Sequence, residues 1–207
     1  MRLRNIIIIL LVFSAISCNS NKEISDIGIK DRTIYQSTSD SLFRNMDNYQ
    51  LYEKSKELNF QEKHQKGLEI LLELEKSEPE NKLVLEGLGI TYSYLNNFSL
   101  SEEYFKKVIA VDSLFFNGYI NLSTLYVNKK EYELAYQTIM RASNIEKTEM
   151  EEVFYIMQQA NLNHFLGNCE EALTLCNMAM NLTNDRDVID LITRDYNEIK
   201  KTCINKN

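Results

Sequence analysis

The sequence holds one proline, two histidines and no apolar run long enough to cross a bilayer. Pro79 is that single proline, and it stands where a helix must stop. His64 falls in a turn between helices and reads as a solvated side chain; His164 is the other imidazole. No H-E-x-x-H, G-x-S-x-G, G-K-S or G-K-T string occurs, and Gly87-Leu88-Gly89 lies inside a helical pattern rather than after a strand. The acid pairs Glu102-Glu103 and Glu170-Glu171 open helices, where they suit the helix dipole without a catalytic role. These absences argue against an enzyme, and no cofactor or metal is expected. Bases are outnumbered, 23 Lys and Arg against 30 Asp and Glu, for a net charge of −7. An acidic surface repels phosphate backbones, so nucleic acid is a poor partner.

What the chain does have is a period of 34 residues. Small residues recur at Ser55, Gly89, Ser123 and Ala160, and again at Gly67, Ser101, Ala135 and Ala172. The gaps are 34, 34 and 37 in both series, so an insertion near Lys147 to Met150 shifts them together. Between them stand large apolar residues at i, i+3, i+4, i+7, the mark of one buried helical stripe. Leu51, Leu85, Tyr119 and Ile156 hold such positions on first helices; Leu71, Phe105, Ile139 and Cys176 hold them on second helices. Small residues allow two antiparallel helices to cross at close range. Such units stack so that each buries its face against its neighbours.

The pattern resembles the tetratricopeptide (TPR) consensus. Repeats two and three match it directly, with Leu88-Gly89 and Tyr92, then Ala135 and Ala142. The outer repeats are looser: Lys54 and Leu58 in repeat one, Gln159 and Asn163 in repeat four. Pro79 still occupies the family's proline position, and Gly167, Ala172 and Ala179 hold the register of repeat four. The resemblance implies an all-α, TPR-type α-solenoid spanning 41–203, with repeats near 48–81, 82–115, 116–149 and 153–186 and a capping helix at 187–202. Val188, Leu191, Ile192, Tyr196 and Ile199 share one face of that last helix. The first helix is expected to open at Leu42, Phe43, Met46 and Tyr49, capped by Ser39 or Asp40.

Arg2 and Arg4 precede an apolar run from Ile6 to Phe13, followed by Ser14-Ala15-Ile16-Ser17-Cys18. The run falls short of the roughly 20 residues that span a bilayer. A basic start, a short apolar core and small residues before a cut site describe an export signal. With cysteine next, residues 1–17 resemble a bacterial lipoprotein signal, which implies acylation, palmitate included, of Cys18 as the first mature residue. An ordinary secretory signal and an uncleaved anchor are the alternatives. Acyl chains on Cys18 would hold the protein to a membrane, periplasmic or cell-surface side, with the outer membrane expected. Loss of residues 1–17 leaves 21 bases against 30 acids, a net of −9. Residues 18–40 are polar and aperiodic, and read as a flexible tether.

Of the remaining cysteines, Cys176 takes a large apolar position and reads as a buried thiol. Cys169 opens the same helix and Cys203 closes the capping helix, so antiparallel packing would bring those two together as a disulfide. The Cys169–Cys176 spacing is not a zinc pattern.

In the family the first helices line a concave groove. Carried onto this chain, its inward positions are Tyr52, Lys56, Asn59 and Phe60, then Glu86, Ile90 and Tyr94. Asn117, Ile120, Thr124 and Asn128 follow, then Phe154, Met157, Asn161, His164 and Phe165. Chaperone-binding relatives clamp a terminal carboxylate with Lys, Arg and Asn; Glu86 and Ile120 stand in such places here, with Lys56 alone in support. Aromatics flanked by amides suit an apolar peptide segment or helix, which implies a protein partner and a scaffolding or assembly role. The alternatives are that these side chains pack between repeats, or that the ligand is a carbohydrate or small molecule.

Overall fold

The computed structural model describes residues 42–204; Cys18, the 18–40 segment and the caps expected at Ser39 or Asp40 lie outside them. The described residues form nine α-helices and no strand. These are α1 (Met46–Phe60), α2 (His64–Ser77), α3 (Lys82–Tyr94), α4 (Phe98–Val111), α5 (Phe116–Asn128), α6 (Tyr132–Met140), α7 (Glu149–Phe165), α8 (Cys169–Asn181) and α9 (Arg186–Ile204). None is long and apolar enough to cross a membrane. The chain divides into two compact units, with the boundary at Gly87 and Leu88.

In the first unit, α1 starts later than expected. Asn45 is its N-cap, accepting from the Asn48 N–H at 2.8 Å, while Leu42 and Phe43 stay outside the helix. Phe43 folds back instead over the rings of Tyr49 and Tyr52, 5.8 and 5.2 Å away. Buried Glu78, beyond α2, ties this entry down by accepting from the Arg44 N–H and the Asn48 side chain, both at 2.8 Å. Where α1 crosses α2, a Cβ on Gly67 would lie 3.2 Å from the Ser55 carbonyl, so the small residues set the approach. Leu68, Leu71 and Leu74 bury the apolar face of α2. Full burial of each contributes roughly 1.5–3 kcal/mol.

The second unit repeats this construction. Gly89 faces Phe105, and Ser101, Ser123, Ala135, Ala160 and Ala172 are all buried. The Ser123 hydroxyl donates to the Ala135 carbonyl at 2.9 Å, joining α5 to α6. Gln158 of α7 then donates to Ser123 Oγ at 3.2 Å, which carries the link into the next repeat. The insertion is absorbed between α6, which ends early at Met140, and α7, which opens at a Thr148–Glu151 capping box. Lys147 is folded into this joint with its side chain only 4% exposed. Its ammonium donates to the Ile145 carbonyl at 2.8 Å and lies 4.5 Å from the Tyr155 ring centre. Helix α9 packs on α8 and α7 through Val188, Ile192, Ile199 and Cys203.

All four repeats turn from first to second helix in the same way. Glu62, Asn96, Lys130 and Gly167 have positive φ, and the next residue's N–H reaches back five residues: Lys63 to Leu58, Asn97 to Tyr92, Glu131 to Tyr126, Asn168 to Asn163. These bonds are the 6→1 closure of a Schellman turn.

Candidate functional site

The inward positions fall into rows at equivalent points of successive first helices, and burial differs sharply between the rows. Tyr52, Glu86, Ile120 and Met157 form one row, and all four are buried. They are interior packing residues, together with Thr124 and Phe154. Tyr52 carries a hydroxyl whose pKa is raised well above its ordinary value, first by burial and then by Glu86 and Glu53. The next row, Lys56, Ile90, Thr124 and Asn161, is partly open apart from Thr124. Lys56 is engaged with Glu53 at 2.7 Å. The last row, Phe60, Tyr94, Asn128 and Phe165, is the most open, with Phe60 61% exposed.

Asn59 turns toward α2, where its Oδ1 lies 3.3 Å from His64 Nδ1. Burial lowers the His64 pKa. Asn117, Asn128 and Asn161, by contrast, make no side-chain hydrogen bond among the described residues. They lie on α5 and α7 of the second unit, exposed or half-exposed. Phe165 stacks face to face on Tyr132, with ring centres 4.7 Å apart and planes 8° from parallel. That pair is a flat aromatic platform at the end of α7. The Tyr94 hydroxyl pKa is raised by partial burial. The second unit thus presents amides and aromatic faces, as a surface that recognises peptide backbone and apolar side chains would.

His164 departs from this surface. Its ring faces α9, with Nε2 3.3 Å from Thr202 Oγ1 and Nδ1 3.7 Å from Cys203 Sγ. Cys169 and Cys203 form a disulfide with their Cα atoms 6.0 Å apart. Cys176 is a buried thiol whose pKa is pushed up to about 12, mainly by burial and also by Asp195. His164, Cys169 and Cys203 are the one group of possible metal ligands among the described residues. Spacing between cysteines does not reveal it, because the histidine arrives across the turn at Gly167; the H-x4-C string from His164 to Cys169 is the available signal.

One electrostatic cluster was also not read from the sequence. The Glu102 carboxylate accepts from Lys106 at 2.7 Å, Lys129 at 2.9 Å and the Tyr126 hydroxyl at 3.0 Å. Burial raises its pKa, but those three hydrogen bonds outweigh burial and hold the carboxyl at about 2. The cluster clips α4 to α5, a structural role.

No protein-family model and no curated protein matches the sequence. Solved structures do match. A tetratricopeptide repeat protein from Parabacteroides merdae superposes with a TM-score of 0.61 at 15% identity, over 80% of this chain and 67% of that one. A thermophilic TPR protein from Thermus thermophilus gives 0.61 at 15% identity, over 76% and 90%. Residues 41 to the end of MamA from Desulfovibrio magneticus RS-1 give 0.55 at 13% identity, over 78% and 97%. Identities this low speak for the fold alone, and with helix–turn–helix repeats throughout the described residues, that fold is an all-α, TPR-type solenoid.

Proposed function

We propose that the chain is a non-enzymatic binding module that holds a segment of a partner protein along its first helices. A lipid on Cys18 tethers it to a bacterial membrane, on the periplasmic or cell-surface side. The observation that carries the binding reading is the set Asn117, Asn128 and Asn161: accessible amides with no side-chain hydrogen bond among the described residues, in the unit that also carries Tyr94 and the Tyr132–Phe165 platform. An amide both donates and accepts, so it can pair with a peptide's backbone whatever its side chains. Aromatic faces supply apolar contact at small entropic cost. The acidic surface favours neutral or basic segments over acidic ones.

The tether reading rests on Arg2, Arg4, the run from Ile6 to Phe13 and Cys18 after Ser17. Cys18→Ser is expected to abolish incorporation of an alkynyl fatty acid and to move the protein out of the membrane fraction. Labelling that survives the substitution would contradict the tether. A photo-crosslinking residue at Tyr94, and separately at Asn128, tests the binding face in the native cell. One dominant protein should be captured from both sites and not from Met178, which is 50% exposed on the second helix α8. The stacked rings also suit a sugar face, so a saccharide adduct from the same sites would replace the protein partner with a carbohydrate.

A further inference from the structure

The cysteine–histidine group at the end of the second unit is built beyond what a structural disulfide needs. Cys169 Sγ, Cys203 Sγ and a His164 ring nitrogen lie within 4.8 Å of one another. The Thr202 hydroxyl and Cys203 Sγ both lie against the His164 ring. The hydroxyl has one proton, and its Oγ1 lies 3.0 Å from the Glu198 carbonyl and 2.9 Å from the Ile199 carbonyl, both pure acceptors. Oγ1 also lies 3.3 Å from His164 Nε2, and with its proton on a backbone carbonyl it can accept from that nitrogen. In the tautomer with the ring proton on Nε2, Nδ1 is the ligand atom, and it lies 3.7 Å from Cys203 Sγ. A histidine whose outer nitrogen is held this way is the usual second-sphere arrangement of a metal ligand.

The dimensions agree. With Zn–S about 2.3 Å and Zn–N about 2.0–2.1 Å, a tetrahedral site has an S···N edge of about 3.6 Å. The S···S edge of about 3.8 Å is reached by side-chain rotation once the sulfurs are released. Access is open: Cys169 lines a surface depression of about 420 Å³ with Asn168, Glu170, Glu171 and Thr174. Its two carboxylates draw cations to the mouth.

We propose that reduction of Cys169–Cys203 converts this staple into a site for one thiophilic divalent cation of the Zn²⁺ class. Cys169 Sγ, Cys203 Sγ and His164 Nδ1 supply three ligands, and water from the depression supplies the fourth. The disulfide and the cation exclude one another. A phosphine reductant takes the oxygen of one water and becomes a phosphine oxide; the S–S bond breaks and each sulfur leaves as a thiol. The cation then displaces two thiol protons to solvent, forming two metal–sulfur bonds beside the bond to Nδ1. The site is independent of the binding face.

Co²⁺ is the spectroscopic probe, added to the full chain in detergent with and without phosphine. The reduced protein should bind one equivalent, with a thiolate-to-cobalt band in the near ultraviolet and intense four-coordinate bands in the visible. The oxidised protein should show neither. Zn²⁺ should displace the cobalt, His164→Ala should weaken Zn²⁺ at least tenfold, and Cys176→Ser should change nothing. Helicity followed by circular dichroism separates loss of ligand from loss of fold; if reduction loosens α9, Zn²⁺ should restore the lost helix. A reduced protein without the sulfur band, a Cys169→Ala/Cys203→Ala variant that binds equally well, or lost helix that Zn²⁺ does not restore overturns the proposal.

Discussion

Gly89 cannot accept a side chain where it stands. A Cβ there would lie 2.5 Å from Cε1 of Phe105, a ring already fully packed. Gly89→Ala is expected to cost about 1–3 kcal/mol through overpacking. A lower urea midpoint at unchanged slope would show it. Ser101 is the opposite case, a buried hydroxyl without a hydrogen-bond partner among the described residues. Ser101→Ala removes that group and should raise stability by about 1 kcal/mol, read from the same titration. A loss on substitution would mean that the hydroxyl is satisfied after all. Both positions were legible in the sequence, because a small residue returning every 34 positions signals a close crossing. The chemical difference between them was not, since period says where a small residue is needed and nothing about its partners.

At the scale of helices and turns, the Glu102 cluster gives the clearest pH dependence. Its carboxyl is held at about 2 against an ordinary 4.5, so the fold favours the ionised form. The resulting stability is complete above about 4.5 and is lost as the pH falls toward 2. Glu102→Gln should cost about 1 kcal/mol at neutral pH. The gap from the parent should close as the pH drops through that window; a gap that persists in acid would assign the effect to packing. The cluster was not readable from the chain because Glu102 and Lys129 are 27 residues apart, on different repeats. The turns were half-readable. Gly167 and Asn96 are residues that favour positive φ, whereas Glu62 and Lys130 are not, and their geometry is imposed by the repeat around them. Helix α1 starts later than the apolar pattern suggests for a related reason: Phe43 joins the aromatic cluster with Tyr49 and Tyr52, which leaves Asn45 to cap.

Over the whole molecule, helix count, repeat order and the pairing of small residues follow from a single period. The period arises because each unit must bury the same stripe against the next. The binding face was less legible. Family positions identify the first helices, but only packing separates buried Tyr52, Ile120 and Met157 from the open Asn128 and Asn161. Register places His164 in the groove, yet Thr202 and Cys203 hold it against α9. The proposed binding face therefore rests on three asparagines. Its most direct test is the affinity of the captured partner segment for the purified chain, with and without Asn117→Ala, Asn128→Ala and Asn161→Ala together. Affinity should fall about tenfold or more, roughly 1.4 kcal/mol, with thermal stability unchanged. An affinity unaltered by all three substitutions would contradict it.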